Sequence, residues 1–391
     1  MQKILRLLLL STLLLGWDFE LYSQSSFVIN GATPQRFENA EASLYRFVNK
    51  ERTITSIKNG AFSFSGNLEQ EYEKVYLDIR QGSEPLWSFT FFVQPGNSEV
   101  SIDSSVAGDQ IGSAARFINI PFLKEQRDYQ QTVVSIEDSA RKIFNLLRYA
   151  KKVKTTSLDT NYLQEVYDRL YIEEKKRRID FIKENASSYY ALTIFEERVM
   201  YDFLISTDSL SALFSVFDPS LRKTQLGGKV SEYFDILKSL SIGRKMPDFW
   251  FRSSDHKLYR VSELNRSGLA LIGFWHSGCA PCIRHIPHIR EIAKTYAAKG
   301  LQLLWISTDL QEATWRRRLE SLPMPWLQTC DIEAYRDTTS LKSLYNISYS
   351  PQYFLIDKQG VLIYHNVQSV QLGYDDDLTV LEEVLKEYFN K

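Results

Sequence analysis

The sequence predicts a multidomain protein: an N-terminal antiparallel β-sandwich, a helical middle region and a C-terminal α/β domain. Three observations predict it. Up to about residue 104, short apolar runs alternate and are cut by turn residues. From about Phe122 to Leu240 the apolar spacing becomes helical. Beyond Ile242-Gly243 and Pro247, strand and helix patterns alternate. A length of 391 residues fits two or three domains at roughly 150 residues each.

The first segment carries no fold. Lys3 and Arg6 precede an apolar run from Leu7 to Trp17, and Leu21 and Ser23 stand at plausible cleavage positions before Gln24. This is the layout of a secretory signal peptide. The run is shorter than the ~20 residues a spanning helix needs, which favours cleavage over a retained anchor. No cysteine lies near, so a lipoprotein anchor is excluded. The expected segments are therefore 1–23 signal peptide, 24–104 β-sandwich, 105–240 helical region and 241–391 C-terminal domain.

In the sandwich, Phe27 to Gly31, Ser43 to Val48, Val75 to Ile79, Phe89 to Val93 and Glu99 to Asp103 are candidate strands. Asn59-Gly60 predicts a hairpin, because both positions of a type I′ turn need positive φ. Thr53 to Ile57 would lead in, and Phe62, Phe64 and Gly66 lead out. In the middle region, Ile136 to Tyr149 and Leu163 to Ile182 hold helical spacing. The charged run Glu173 to Arg178 is expected to be a solvated helix face with short-range ion pairs. Ser187-Ser188, Asp218-Pro219 and Gly227-Gly228 are expected loops. Then come a buried strand Ala270 to Trp275, a helix Pro281 to Lys299 and a strand Leu301 to Ser307. A helix over Glu312 to Glu320, strands Tyr353 to Ile356 and Val361 to Tyr364, and a terminal amphipathic helix follow.

Composition excludes several function classes. Lys plus Arg number 47 against 48 Asp plus Glu, so no overall field draws the chain to nucleic acid or an anionic membrane. The 22 Tyr and 23 Phe argue for large buried cores rather than disorder. Three cysteines cannot form a disulfide scaffold. Their positions matter instead.

Cys279-Ala280-Pro281-Cys282 directly follows a buried strand and opens a helix. A cysteine at a helix N-terminus meets the positive end of the dipole and free N–H groups, both of which favour thiolate. Three-residue spacing on the first turn brings the two sulfurs together. One thiolate can attack a disulfide and the other can resolve the mixed disulfide. Cys279 is expected to be the more exposed, attacking thiol and Cys282, one turn inside, the resolving one.

These residues, with Gly243 to Phe249, Phe274-Trp275, Ser307-Thr308-Asp309, Ser350 to Asp357 and Gly360, resemble the TlpA/ResA-like branch of the thioredoxin superfamily. The resemblance covers about 243 to 391 and implies a thioredoxin-like fold of the AhpC/TSA-redoxin type. It also implies a cis Pro351 facing the disulfide, with Ser350-Pro351 pairing with the substrate backbone; otherwise Pro351 only starts a strand. The N-terminal regions resemble the extension of exported Bacteroidetes thioredoxin-like proteins.

The departures carry weight. Gly278 stands where the family usually has Trp, which should open the approach to Cys279. Ile283 and His285 replace the family's Arg and Glu, and Pro287 matches its helix-kinking Pro. His285 is either a proton acceptor, a thiolate stabiliser when protonated, or a half-exposed helix residue without catalytic effect. Cys279, Cys282, His285 and His288 form a string that superficially suits zinc or copper. Steps of three drift by about 60° around a helix, so the four side chains fan apart and no metal is expected. That leaves His288 an ordinary surface residue. Trp275 is expected to pack beside the cysteines and shape the site. Cys330 is expected to be a small buried hydrophobe, unless it forms a mixed disulfide or dimer link. Arg316-Arg317-Arg318 is an expected solvated face.

The reading is an exported thiol–disulfide oxidoreductase with no cofactor beyond its Cys279–Cys282 disulfide, reducing client disulfides in the periplasm of a Gram-negative bacterium. Clients would include apocytochrome c or misoxidised exported proteins. The resemblance implies a membrane-embedded electron donor of the DsbD/CcdA type. A disulfide oxidase or isomerase with the same site is the alternative within enzymes. The alternative outside them is a redox-inert ligand- or partner-binding protein.

Overall fold

The computed structural model describes residues 25–103, 115–153, 159–202, 205–332, 340–368, 375 and 377–390. The signal peptide expected at residues 1–23 lies outside the described residues. By contacts the chain divides into two compact units, residues 1–127 and 128–391. No helix among the described residues is long and apolar enough to cross a membrane.

The first unit is the predicted sandwich. Its strands are β1 Ser26–Ala32, β2 Glu41–Arg46, β3 Glu51–Ser56, β4 Ala61–Asn67, β5 Glu73–Gln81, β6 Glu84–Val93, β7 Gly96–Ile102 and β8 Ala115–Ile118. One sheet has the order β4-β1-β7-β8 and the other β3-β2-β5-β6. Alternate residues such as Val75, Leu77 and Ile79 point into a shared core with Phe27, Trp87 and Phe91.

Three sequence expectations are corrected here. Asn59 and Gly60 do take positive φ, 52° and 68°, and the Glu38 carboxylate accepts both their N–H groups. Yet the flanking strands do not form a hairpin: β3 pairs with β2 and β4 with β1. Ile57, fully buried, bonds Asn39 and Ala40, so the turn carries the chain from one sheet into the other. The sandwich also contains one parallel ladder, β1 with β7, because the chain enters β7 by crossing over from β6 of the other sheet rather than through a hairpin on β1. Finally, β8 lies inside the stretch 105–240 expected to be helical; four residues at an edge, half-buried at best, carry too little alternation to be seen.

Helix α1 (Leu123–Tyr129) precedes a middle region of α2 Ser135–Lys152, α3 Thr160–Glu184, α4 Tyr189–Arg198, α5 Thr207–Ser215, α6 Pro219–Arg222 and α7 Gln225–Ser239. In the charged run, Arg177 pairs with Glu173 and Lys176 with Asp180 on the outer face. Arg178 instead turns inward, between Glu174 and Glu137 of α2. The loop expected at Gly227-Gly228 is the first turn of α7, capped by Thr224. Gly227 is there for proximity: a Cβ would run into the backbone of Leu221 and Arg222. A Cβ on Gly228 would meet nothing within 4 Å. Gly227→Val is therefore expected to destabilise by about 2 kcal/mol or more. Gly228→Ala should stabilise by about 0.5–1 kcal/mol through helix propensity. Urea midpoints of the two variants check the opposite signs.

The C-terminal region adds β9 Trp250–Arg252, β10 Leu258–Arg260, α8 Val261–Leu264, β11 Leu269–Trp275, α9 Ala280–Tyr296, β12 Leu301–Ser307, α10 Glu312–Ser321, β13 Leu327–Cys330, α11 Leu341–Leu344, β14 Gln352–Ile356, β15 Leu362–His365 and α12 Thr379–Phe389. The sheet order is β13-β12-β11-β14-β15. β11, β12 and β13 run parallel; β14 and β15 are antiparallel. All seven residues of β11 are buried, as a strand covered on both faces requires. Leu271, Trp275, Leu303 and Trp305 face α9 and α12, while Ile272, Phe274, Leu304 and Ile306 face the side holding Leu240, Phe249 and Tyr345. Gly273 is a close-approach glycine: its Cβ would stand 2.8 Å from the Trp305 ring. This places the C-terminal end of the central strand β11, and the N-terminus of α9 after it, at one edge of the core.

Candidate active site

The turn between β11 and α9 is built from side chains distant in sequence. The Trp275 carbonyl accepts the Thr308 N–H at 2.8 Å. Asp309 takes three hydrogen bonds on its carboxylate: Ser277 N–H at 2.9 Å, Ser277 Oγ at 2.6 Å and Ser307 Oγ at 2.6 Å. Arg318 Nε donates to the Ser277 carbonyl at 3.0 Å. Ser277 is thus held at both backbone ends and at its side chain. Arg318 departs from the solvated face expected of Arg316-Arg317-Arg318, because this carbonyl draws it inward. Cys279 N–H then donates to the His276 carbonyl at 3.0 Å and closes the turn.

Cys279 is the N-cap of α9, with Pro281 in its first turn, where a missing N–H costs nothing. The Cys282 N–H donates to Cys279 Sγ at 3.2 Å. Cys279 and Cys282 are joined as a disulfide, with Cα atoms 5.3 Å apart. Exposure does not separate the two sulfurs as expected: Cys279 is 4% and Cys282 2% exposed. Cap position does, since only Cys279 Sγ receives a helix N–H. Gly278 and Ala280, both exposed, flank Cys279. A Cβ on Gly278 would meet only the His276 ring, at 3.5 Å, so the approach is open there.

Trp275 is buried in the same cluster as both cysteines. The Ser350–Pro351 peptide is cis and leads directly into β14. Asn366 clamps this segment, donating from Nδ2 to the Pro351 carbonyl and accepting the Tyr353 N–H at 2.8 Å.

His285 is buried rather than half-exposed, and its Nδ1 lies 3.1 Å from the Tyr353 hydroxyl. Helical phase turns position 285 under the first turn, toward β14, where Tyr353 projects from the same sheet face as Trp305. His288 is not an idle surface residue: its Nε2 meets Glu382 of α12 at 2.5 Å, which helps hold that carboxyl below its usual range. The two imidazoles are therefore engaged with different elements.

Cys330 ends β13, half-buried, with its Sγ 3.6 Å from the Asp309 carbonyl. Burial pushes its thiol up to about 11. At pH 8 only about one molecule in a thousand would carry the Cys330 thiolate, and alkylation requires the thiolate. In protein whose disulfide has been reduced, iodoacetamide at pH 8 should modify Cys330 last, its rate rising about tenfold per pH unit toward 11. Peptide mass mapping over time checks the order.

Sequence reasoning missed the roles of Ser277, Asp309, Arg318 and Tyr353. Ser307-Thr308-Asp309 stood out as a pattern, but nothing in the chain order tells that its carboxylate reaches back to Ser277.

Residues 242–365 match the AhpC/TSA family model. The thiol-disulfide oxidoreductase ResA of Bacillus cereus is 24% identical over 131 residues, 34% of this chain and 72% of that protein. ResA of Geobacillus kaustophilus is 24% identical over 130 residues, 33% of this chain and 71% of that one. Among solved structures, the thiol:disulfide interchange protein DsbE from Chlorobium tepidum is similar at 24% identity and a TM-score of 0.33, covering 39% of this chain and 99% of its own.

Proposed function

We propose, from the premise that residues 242–365 are an AhpC/TSA-type domain of the thioredoxin superfamily, that the chain is an exported thiol:disulfide oxidoreductase reducing client proteins in the periplasm. The carrying observation is the Cys279–Cys282 pair, disulfide-bonded at the capped N-terminus of α9.

In the reduced state, the Cys279 thiolate attacks one sulfur of a client disulfide. A client thiolate leaves and a mixed disulfide forms. The Cys282 thiolate then attacks Cys279 Sγ, releases the second client thiolate and leaves the Cys279–Cys282 disulfide. Two electrons pass to the client. A thiol donor must return them; a membrane-embedded carrier of the DsbD/CcdA type fits that step. The helix terminus stabilises the Cys279 thiolate as attacker and as leaving group. Ser350-Pro351 would pair with the client backbone, Trp275 and Pro281 would shape the turn, and Gly278 would admit the client sulfur. His285, one turn beyond Cys282 and held by Tyr353, supports a role as acceptor of the thiol proton. Apocytochrome c is one client class such a reductase would serve.

The test is the reduction potential of the pair, by equilibration against glutathione and dithiothreitol. A value near about −270 mV or below is expected for a reductase. A value near about −120 mV would overturn that direction in favour of an oxidase. If the two cysteines never interconvert between dithiol and disulfide, the enzyme reading fails and a binding module replaces it.

A further inference from the structure

The second unit contains a cleft of about 90 Å³ between the helical region and the back of the C-terminal sheet, on the face opposite α9. Nothing in the thiol chemistry uses it.

The two walls are aromatic and come from different parts of the chain. Tyr201 and Tyr233 form the helical wall, ring centroids 5.2 Å apart and edge to face. Phe354, stacked on His365 at 4.3 Å and met edge-on by Tyr345 at 5.3 Å, forms the sheet wall. Leu237 of α7 also lines the cleft. Asn346, beside Tyr233, adds a further amide to the lining. Gln352 and Gln368 add amide groups to the lining.

The lining offers no unpaired charge among its described residues. Burial pushes His365 down to about 3, so its imidazole stays neutral. Asp202 is the one acidic or basic side chain other than His365 among the described lining residues, and Lys175 stands 3.0 Å from it. A charged ligand would lose water there and find no counter-charge left for it. A flat ring would lie between aromatic walls, with hydroxyls and amides at hand for one polar group.

We propose that this cleft is a binding site for a neutral aromatic small molecule of one ring bearing a hydroxyl or amide group. The helical region then has a definite task, supplying half of a ligand site. The loop Tyr345–Tyr349 along its rim continues into Ser350-Pro351, so an occupant would touch the segment leading to the redox site.

The test titrates the full, oxidised chain with three one-ring probes and reads ligand-observed saturation-transfer NMR. The probes are 4-hydroxybenzyl alcohol, 4-hydroxybenzoate and 4-hydroxybenzylamine. The neutral alcohol should bind saturably, with Kd of about 1 mM given its few atoms. The anion and the cation should bind at least about tenfold more weakly. Leu237→Trp should fill the cleft and abolish binding. Tyr201→Ala, at a residue 47% exposed and so tolerant of change, should weaken it about threefold to tenfold by removing one wall. Absence of saturable binding by the alcohol would overturn the proposal. So would equal binding of all three probes, or full affinity in Tyr201→Ala together with whichever Leu237→Trp protein folds. Because the readout does not pass through the disulfide, it stands or falls separately from the reductase reading.

Discussion

Cys279→Ser should lower disulfide reduction at least about a thousandfold, to the background of the assay. The serine hydroxyl keeps the geometry but is not ionised near neutral pH, so the helix terminus has no anion to stabilise and no nucleophile forms. Cys282→Ser should behave differently. Its Cys279 still attacks, but no resolving thiolate follows, so a mixed disulfide with the client accumulates. Insulin turbidity or a fluorescent disulfide substrate measures the first effect; intact-mass analysis of the trapped adduct measures the second. Full activity in Cys279→Ser would overturn the assigned order of attack. Trapping by Cys279→Ser rather than Cys282→Ser would reverse the roles. The order rests on capping rather than exposure, since both sulfurs are buried and only Cys279 Sγ accepts the Cys282 N–H.

Asp309→Ala should cost about 2–4 kcal/mol in stability and slow disulfide exchange about tenfold or more. The substitution leaves the Ser277 N–H and the Ser277 and Ser307 hydroxyls without their carboxylate acceptor. Hydrogen bonds to a charged group contribute about 1.5–3 kcal/mol each, discounted here because Asp309 is half-buried and water can replace part of the loss. The released segment is two residues from Cys279, so the cap geometry loosens with it. Asp309→Asn keeps the shape and one acceptor oxygen and should fall between wild type and alanine. Thermal unfolding and the rate of reduction by dithiothreitol check the pair. An alanine variant with unchanged melting temperature and rate would show that Ser277 needs no anchor.

Much of this was legible because it is written locally. The strand before the cysteines is a continuous apolar run, the helix after them opens on Cys and Pro, and a two-faced sheet demands that order of residues. Gly300 ends the α9 stretch in the left-handed region, where glycine is favoured. The sandwich strands alternate with period two. Where local pattern misled, a long-range contact had replaced the expected local partner. Asn59-Gly60 makes the turn it promises, yet Ile57 bonding to Asn39 and Ala40 sends the strands to separate sheets. Gly227-Gly228 looks like a break, but the nearness of Leu221 explains the first glycine inside a helix.

The sequence by itself determined the chemistry: two cysteines three apart at a strand-to-helix junction bring their sulfurs together through covalent spacing and helical rise alone. Only the tertiary structure decided what surrounds them. Asp309 reaches Ser277 across 32 residues, His285 meets Tyr353 across 68, and the aromatic cleft joins residues near 200 to residues near 365. A side chain's partner in such pairs is set by sheet order and helix phase. Strand direction, crossing and register are properties of the whole packed core, and no local window of residues contains them.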